Sequence, residues 1–252
     1  MFLREFEKIE SEVLMEKLKS KGQFNFQQWK NLPFVDQLRQ LEQQFQVLGE
    51  GSSRKVFLLS NRFVMKFATN SKGIAQNKTE VQFAQDKTLQ PALALIQNSD
   101  PKGNWVMAQL VRPLTSWNEF EKIKGYSSEI IGYAMGDQWE PSDIDQSKMS
   151  TPEQKVKAKQ DLIFLNAINN LVKKGLIRGD MKFHDHWGKT PDGRVVLLDY
   201  GFDRNTANTE YAKDGKSIGS DSATRKPVKT KTSAQTPGNQ APTVAPPKKQ
   251  AQ

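Results

Sequence analysis

With 252 residues, a hydrophobic share of 36% and a mean hydropathy of −0.68, the chain can build one sizeable core or two small ones, with part of it left outside any core. The absence of cysteine excludes disulfide frameworks and thiolate metal sites, and no apolar run reaches the length of a membrane span. The formal net charge of +9 is concentrated near the end, where Lys213, Lys216, Arg225, Lys226, Lys229, Lys231, Lys248 and Lys249 face only Asp214 and Asp221.

The chain opens with Phe2, Phe6, Ile9, Val13 and Leu18 at helical spacing, closed by Gly22. Acidic residues come too early here for a secretory signal, so the sequence predicts a soluble, cytoplasmic protein. Two shorter helical stretches follow, around 24–32 and 35–45, the second with Leu38 and Leu41 on one side. Residues 1–45 therefore read as a helical extension whose apolar faces complete a core or dock a partner.

From Gln46 the pattern changes to short strand-like runs over 46–48, 55–59 and 62–68, an antiparallel meander. A helix over 74–87 is expected next, then strands over 93–97 and 105–110 separated by Asn98-Ser-Asp-Pro-Lys-Gly-Asn, which is dense turn chemistry. Five strands and one helix make a first lobe over 46–110. After Pro113 the chain turns helical, and one long helix is predicted from Pro152 to Lys174, with Thr151 as cap and Gly175 just past its end. A loop rich in charge and histidine covers 178–189, and Pro191-Asp-Gly193 leads into an apolar strand that ends at Asp199. Residues 111–210 are thus a second, helical lobe.

Beyond Tyr211 apolar periodicity stops, and residues 211–252 are read as a disordered basic tail. Such an arm draws nucleic acid or another polyanion through counterion release; the alternative is a solvated solubility tail. Gly215-Lys216-Ser217 is not a phosphate loop, because Glu210 stands where the leading glycine belongs and no strand precedes it.

Chemistry is carried by five elements. Gly49-Glu-Gly51 lies between the first two strands, where small residues let backbone amides approach phosphate oxygens. Lys66 stands on the third strand among apolar neighbours, and Glu80 lies in the helix that follows. Arg178-Gly-Asp180-Met-Lys182 and Leu198-Asp199-Tyr-Gly201 then place two carboxylates in loops, where a hard cation and an acceptor proton can use them. Taken singly, each also reads as an ordinary turn, an exposed lysine or a surface carboxylate.

In this order the five elements resemble the protein-kinase-like superfamily, which includes protein kinases and the aminoglycoside and choline phosphotransferases. The run Gly51-Ser-Ser-Arg-Lys-Val-Phe is also similar to small kinase-like proteins of bacteriophages. The resemblance spans roughly Gln46 to Asp203 and implies an α+β, two-lobed fold with a five-stranded antiparallel N-lobe and a reduced helical C-lobe. It further implies ATP and magnesium as cofactors. Gly49 and Gly51 would cover the phosphates, Lys66 would contact them, Glu80 would orient Lys66, and Gln109 to Val111 would receive the adenine through backbone groups. Asp180 would orient the acceptor hydroxyl, Lys182 would neutralise the moving phosphoryl group, and Asp199 would hold magnesium.

Three departures qualify this picture. Arg54 replaces the third glycine of the loop. Asp185 stands five residues after Asp180, where the family keeps a magnesium-binding Asn, although Trp187-Gly188 suggests a second register with His186 in that place. His184 and His186 themselves read as a hydrogen-bonded loop in preference to a transition-metal site. Little chain remains after Asp203 for substrate binding. The expected function is an ATP-dependent phosphotransferase acting on protein Ser or Thr, its own chain included. The alternatives are a catalytically silent nucleotide-binding module and a virion or nucleic-acid-associated protein, with the host cytoplasm or the virion as location and no membrane partner.

Overall fold

The computed structural model describes residues 24–146 and 151–211; the helix expected over the first twenty residues and the expected 211–252 tail, apart from Tyr211, lie outside them, and Tyr211 is an ordered residue packed on the N-lobe. The N-lobe sheet contains β1 (Gln46–Glu50), β2 (Arg54–Leu58), β3 (Phe63–Ala68), β4 (Ile96–Ser99) and β5 (Trp105–Gln109). Their order is β1-β2-β3-β5-β4, and all neighbours are antiparallel.

Strand alternation sends successive side chains to opposite faces. On one face Phe57, Phe63, Met65, Phe67, Trp105 and Met107 pack with Phe24, Phe26, Trp29, Leu41 and Phe45. These last residues come from α1 (Phe26–Trp29), α2 (Phe34–Gln44) and their flanks. Asn25 caps α1 by accepting from the amides of Gln27 and Gln28, and the Trp29 indole donates to the Gln37 carbonyl at 2.9 Å. The described part of the N-terminal extension therefore shares its core with the sheet.

The other face carries Arg54, Val64, Lys66, Val106 and Ala108 and receives α3 (Ser71–Gln85), whose first turn is capped by Asn70 on the Gly73 amide. The strand expected over 93–97 begins only at Ile96. Gln90–Ala92 form a 3-10 turn, and Leu93 bridges Leu197 instead, so this stretch belongs to the second lobe.

The C-lobe contains α4 (Trp117–Lys124), α5 (Glu129–Ala134), α6 (Asp143–Gln146), α7 (Pro152–Gln160), α8 (Leu162–Lys173), α9 (Arg178–Met181) and a three-stranded sheet. The strands β6 (Arg112–Pro113), β7 (Trp187–Lys189) and β8 (Val195–Leu197) pair in that order. Phe120, Ile130, Phe164, Leu165, Ile168, Leu171, Trp187 and Val196 lie in one apolar core.

The single helix expected over 152–174 is two helices. Asp161 leaves helical geometry at φ −108° and ψ 25°, and its carboxylate accepts from Lys124 Nζ at 2.6 Å and the Tyr126 hydroxyl at 2.7 Å. Burial pushes the Tyr126 phenol up, aided by the Asp161 charge; burial also lowers Lys124, against the pull of the same carboxylate.

The chain then returns to the N-lobe through α10 (Arg204–Thr206) and a π turn over Ala207–Tyr211. There Thr206 meets Thr79 at 3.1 Å, Tyr211 accepts from Gln76 at 3.1 Å, and Glu210 accepts from Ser71 at 2.8 Å. The molecule is α+β, a five-stranded antiparallel N-lobe joined to a helical C-lobe. Among the described residues no helix is long and apolar enough to cross a membrane.

Candidate functional site

The buried side of α3 is polar: Gln76, Asn77, Thr79 and Glu80 all point inward. Buried polar groups need partners, and the sheet supplies them. Val56 pairs with Lys66 and Arg54 with Ala68, so strand parity sets both cations on the face that meets α3. Lys66 Nζ lies 2.8 Å from each Glu80 oxygen, and the Arg54 guanidinium lies 2.7 Å from Glu80 Oε1 and 3.3 Å from Asn77 Oδ1. Glu80 is fully buried, so one carboxylate serves two cations.

Both cations also reach the C-lobe. Arg54 donates to Asp199 Oδ1 at 2.7 Å, and Lys66 donates to the Leu198 carbonyl at 2.6 Å. The Leu198 amide donates to the His186 carbonyl at 2.7 Å, and His186 Nδ1 lies 2.7 Å from the Asp180 carbonyl oxygen. A carbonyl only accepts, so that nitrogen carries the proton. A continuous polar chain thus runs from Asp180 through His186, Leu198, Lys66, Glu80 and Arg54 to Asp199. Tyr200 closes one side, with its hydroxyl on the Ala94 carbonyl at 2.7 Å and its ring 5.6 Å from Lys66 Nζ. Burial pushes this phenol up, and the Glu80 charge adds to the effect. Burial alone would lower the Arg54 guanidinium, but Glu80 and Asp199 outweigh it and hold it raised.

Of the residues singled out in the sequence, Lys66, Glu80 and Asp199 are joined in this network by their side chains, and Asp180 by its backbone carbonyl. Lys182 and Asp185 are exposed and outside it. Asp185 precedes His186 in a short 3-10 turn, and it is His186 that directly precedes β7 and bonds to the residue before Asp199. His184 Nδ1 lies 2.9 Å from the Leu114 carbonyl oxygen, a hydrogen-bonded loop contact. The side chain of Gln109 shares its strand face with Trp105 and Met107, away from α3, while its amide donates to Leu95 and that of Leu110 to Arg62. Gly49, which pairs with Val56 in β1, and Gly51, in the β1–β2 turn, are both exposed, and the Gly51 amide donates to the Arg54 carbonyl at 2.9 Å.

The principal residue missed by sequence reasoning is Arg54, read there only as a lost glycine. Its parity with Val56 and Leu58, set against Lys66, was the available signal. Ser53 and Gln76 belong to the same network: Ser53 Oγ lies 2.8 Å from Gln76 Oε1. Magnesium does not fit these side chains as they stand. Arg54 already spans Asp199 and Glu80, so the Asp199 oxygen it holds is not open to a cation.

No family model and no curated protein matches the chain. Solved structures similar to it include the streptomycin–ATP ternary complex of APH(2″)-IIa, at 12% identity and a TM-score of 0.34, covering 68% of this chain and 71% of that one. SAICAR synthase from Saccharomyces cerevisiae, complexed with SAICAR, aligns at 10% identity and a TM-score of 0.31 over 62% of this chain and 73% of that one.

Proposed function

We propose that the protein is a kinase-like phosphotransferase that binds ATP between its two lobes and passes the γ-phosphoryl group to a Ser or Thr hydroxyl, on another protein or on its own chain. The observation that carries this reading is the buried Lys66–Glu80 pair, whose ammonium also touches the backbone of Leu198 beside Asp199. A core could bury apolar side chains here at less desolvation cost, so an ion pair reaching the other lobe calls for a charged ligand as its reason.

Gly49 and Gly51 support the same reading. Neither has a positive φ; a Cβ at Gly49 would meet nothing within 4 Å, and one at Gly51 would sit at an ordinary 3.7 Å from the Arg54 carbonyl oxygen. The fold does not require glycine at either place, whereas room for phosphates does. In the proposed reaction the acceptor oxygen bonds to the γ-phosphorus while the bond from that phosphorus to the bridging oxygen breaks. ADP leaves with the electron pair, and Asp180 takes the hydroxyl proton. Lys66 and Arg54 supply positive charge toward the phosphates.

A second reading has its own observation. The Arg54–Asp199 pair also suits a protein that holds nucleotide without transferring phosphate. Calorimetry with ATP and transfer of γ-label, run on wild type and Asp180→Asn, test both. The proposal expects ATP binding in both proteins and transfer at least ~100-fold weaker in the variant. Binding without transfer in wild type selects the silent module, and absence of ATP binding overturns both readings.

A further inference from the structure

We infer that Arg54 is the resident cation of the cleft: its guanidinium fills, at Asp199, the position a divalent metal would take, so that the protein excludes the metal and binds nucleotide without it. The second clause rests on the reading of this cleft as a nucleotide site. The first rests on geometry alone.

Arg54 is not a surface side chain that has happened upon a carboxylate. Its side chain is 8% exposed and held at 2.7 Å by Glu80 and at 2.7 Å by Asp199, with Asn77 as a third partner. A planar fork anchored on two carboxylates keeps one arm fixed while the other points at the ligand position. Asp199 is about a third exposed, so the guanidinium meets it at the edge of the cleft and not in the depth of the core.

Nor can the guanidinium readily withdraw. The backbone that carries it is tied down on each side. Asn70 Nδ2 donates to the Ser52 carbonyl at 2.9 Å, the Thr69 amide donates to the Ser53 carbonyl at 2.8 Å, and Ser53 Oγ contacts Gln76. Helix α3 presses so closely on this segment that a Cβ on Gly73 would lie 2.1 Å from the Ser53 carbonyl oxygen. Swinging the side chain alone would strip Glu80 and Asn77 of a partner in a buried place, where that loss is costly.

Charge gives the same answer. Arg54 and Lys66 balance Glu80 and Asp199, so these four side chains are neutral together without any ion. A divalent cation at Asp199 would add charge beside a guanidinium that burial prevents water from screening. Among the described residues no second carboxylate oxygen is at hand to offset this: Asp185 is exposed, and His186 is the residue bonded into the Asp180 and Leu198 backbone. A phosphate chain, by contrast, finds fixed positive charge already in place.

The test uses manganese alone as probe, with the full chain, by the paramagnetic resonance signal of the free ion. Wild type and Asp199→Asn should give superimposable titrations to millimolar Mn2+. Arg54→Met should gain a site that Arg54→Met/Asp199→Asn loses, and Arg54→Lys, which keeps the charge, should gain none. A wild-type site abolished by Asp199→Asn overturns the inference, as does a folded Arg54→Met with no gained site. If Arg54→Met does not fold, the comparison of wild type with Asp199→Asn still decides. In parallel, ADP affinity of wild type should agree within about twofold between EDTA and excess Mg2+. A tenfold loss in EDTA overturns the inference. No ADP binding in either medium defeats the nucleotide reading and the metal-free binding that rests on it, while the manganese result still judges the occupancy of Asp199 by Arg54.

Discussion

Lys66 spends its donors inside the protein: two go to the oxygens of Glu80, and Leu198 accepts another through its backbone carbonyl at 2.6 Å. The two partners are unequal in consequence. Removing Glu80 takes a buried carboxylate from Lys66 and Arg54 at once, whereas removing Lys66 leaves Glu80 still held by Arg54. Glu80→Ala should therefore destabilise by about 3 to 5 kcal/mol and Lys66→Met by roughly half that, measured by urea unfolding. Equal losses would show that Arg54 gives Glu80 no support.

Glycines at the site fall into two kinds, and substitution should separate them. A Cβ on Gly201 would lie 2.7 Å from the Gln76 carbonyl oxygen and 2.9 Å from its Cβ, so Gly201→Ala has to push α3 outward. Its cost should be about 1 to 3 kcal/mol in thermal or urea unfolding. Gly49→Ala should stay within about 0.5 kcal/mol of wild type while weakening ATP binding. Unchanged ATP affinity in that variant would remove one support of the nucleotide reading.

Asp161 separates α7 from α8 because two side chains distant in sequence, Lys124 and Tyr126, claim its carboxylate. Asp161→Ala leaves the Tyr126 hydroxyl, on a fully buried ring, without that acceptor, and should cost about 1 to 3 kcal/mol. Asp161→Asn keeps an acceptor and should recover part of the loss. Identical melting curves for the two variants would count against this account.

Acid should weaken the fold through carboxylates outside the Lys66–Glu80–Arg54–Asp199 network. Hydrogen bonds from Arg112 and from Thr115 hold Glu119 down to about 2 from 4.5, and Thr88 with Lys174 holds Asp86 down to about 2 from 3.8. Because the unfolded chain binds these protons first, their stabilisation is complete above about pH 4.5 and is lost as pH falls toward 2. Urea midpoints between pH 6 and pH 2.5 should decline, and Glu119→Gln should flatten the decline. An unchanged slope in the variant would reassign the acid sensitivity elsewhere.

Much of the N-lobe was legible because its signals are local. The alternation of Phe63, Met65 and Phe67 with Val64, Lys66 and Ala68 assigns both faces of β3 from six consecutive residues. The inward polar row of α3 could be read from spacing, though not its partners. What escaped depends on distant chain. Arg54 gains its meaning from Asp199, and the interruption at Asp161 from Lys124 and Tyr126. The late start of β4 likewise follows from the bridge between Leu93 and Leu197. Helix caps and turns need only neighbours, but a pairing across lobes exists only once both have folded.

The return of residues 203–211 to α3 has a mechanical outcome. Ser71, Gln76 and Thr79 are gripped along one edge of the helix by Glu210, Tyr211 and Thr206, while Glu80 is gripped on the inner side by the sheet. Lys72 adds its ammonium 4.5 Å from the Tyr211 ring. Helix α3 is consequently an axle shared by both lobes and not a door hung on one. Any movement of one lobe against the other has to turn about it or unfasten it along its length, contact by contact.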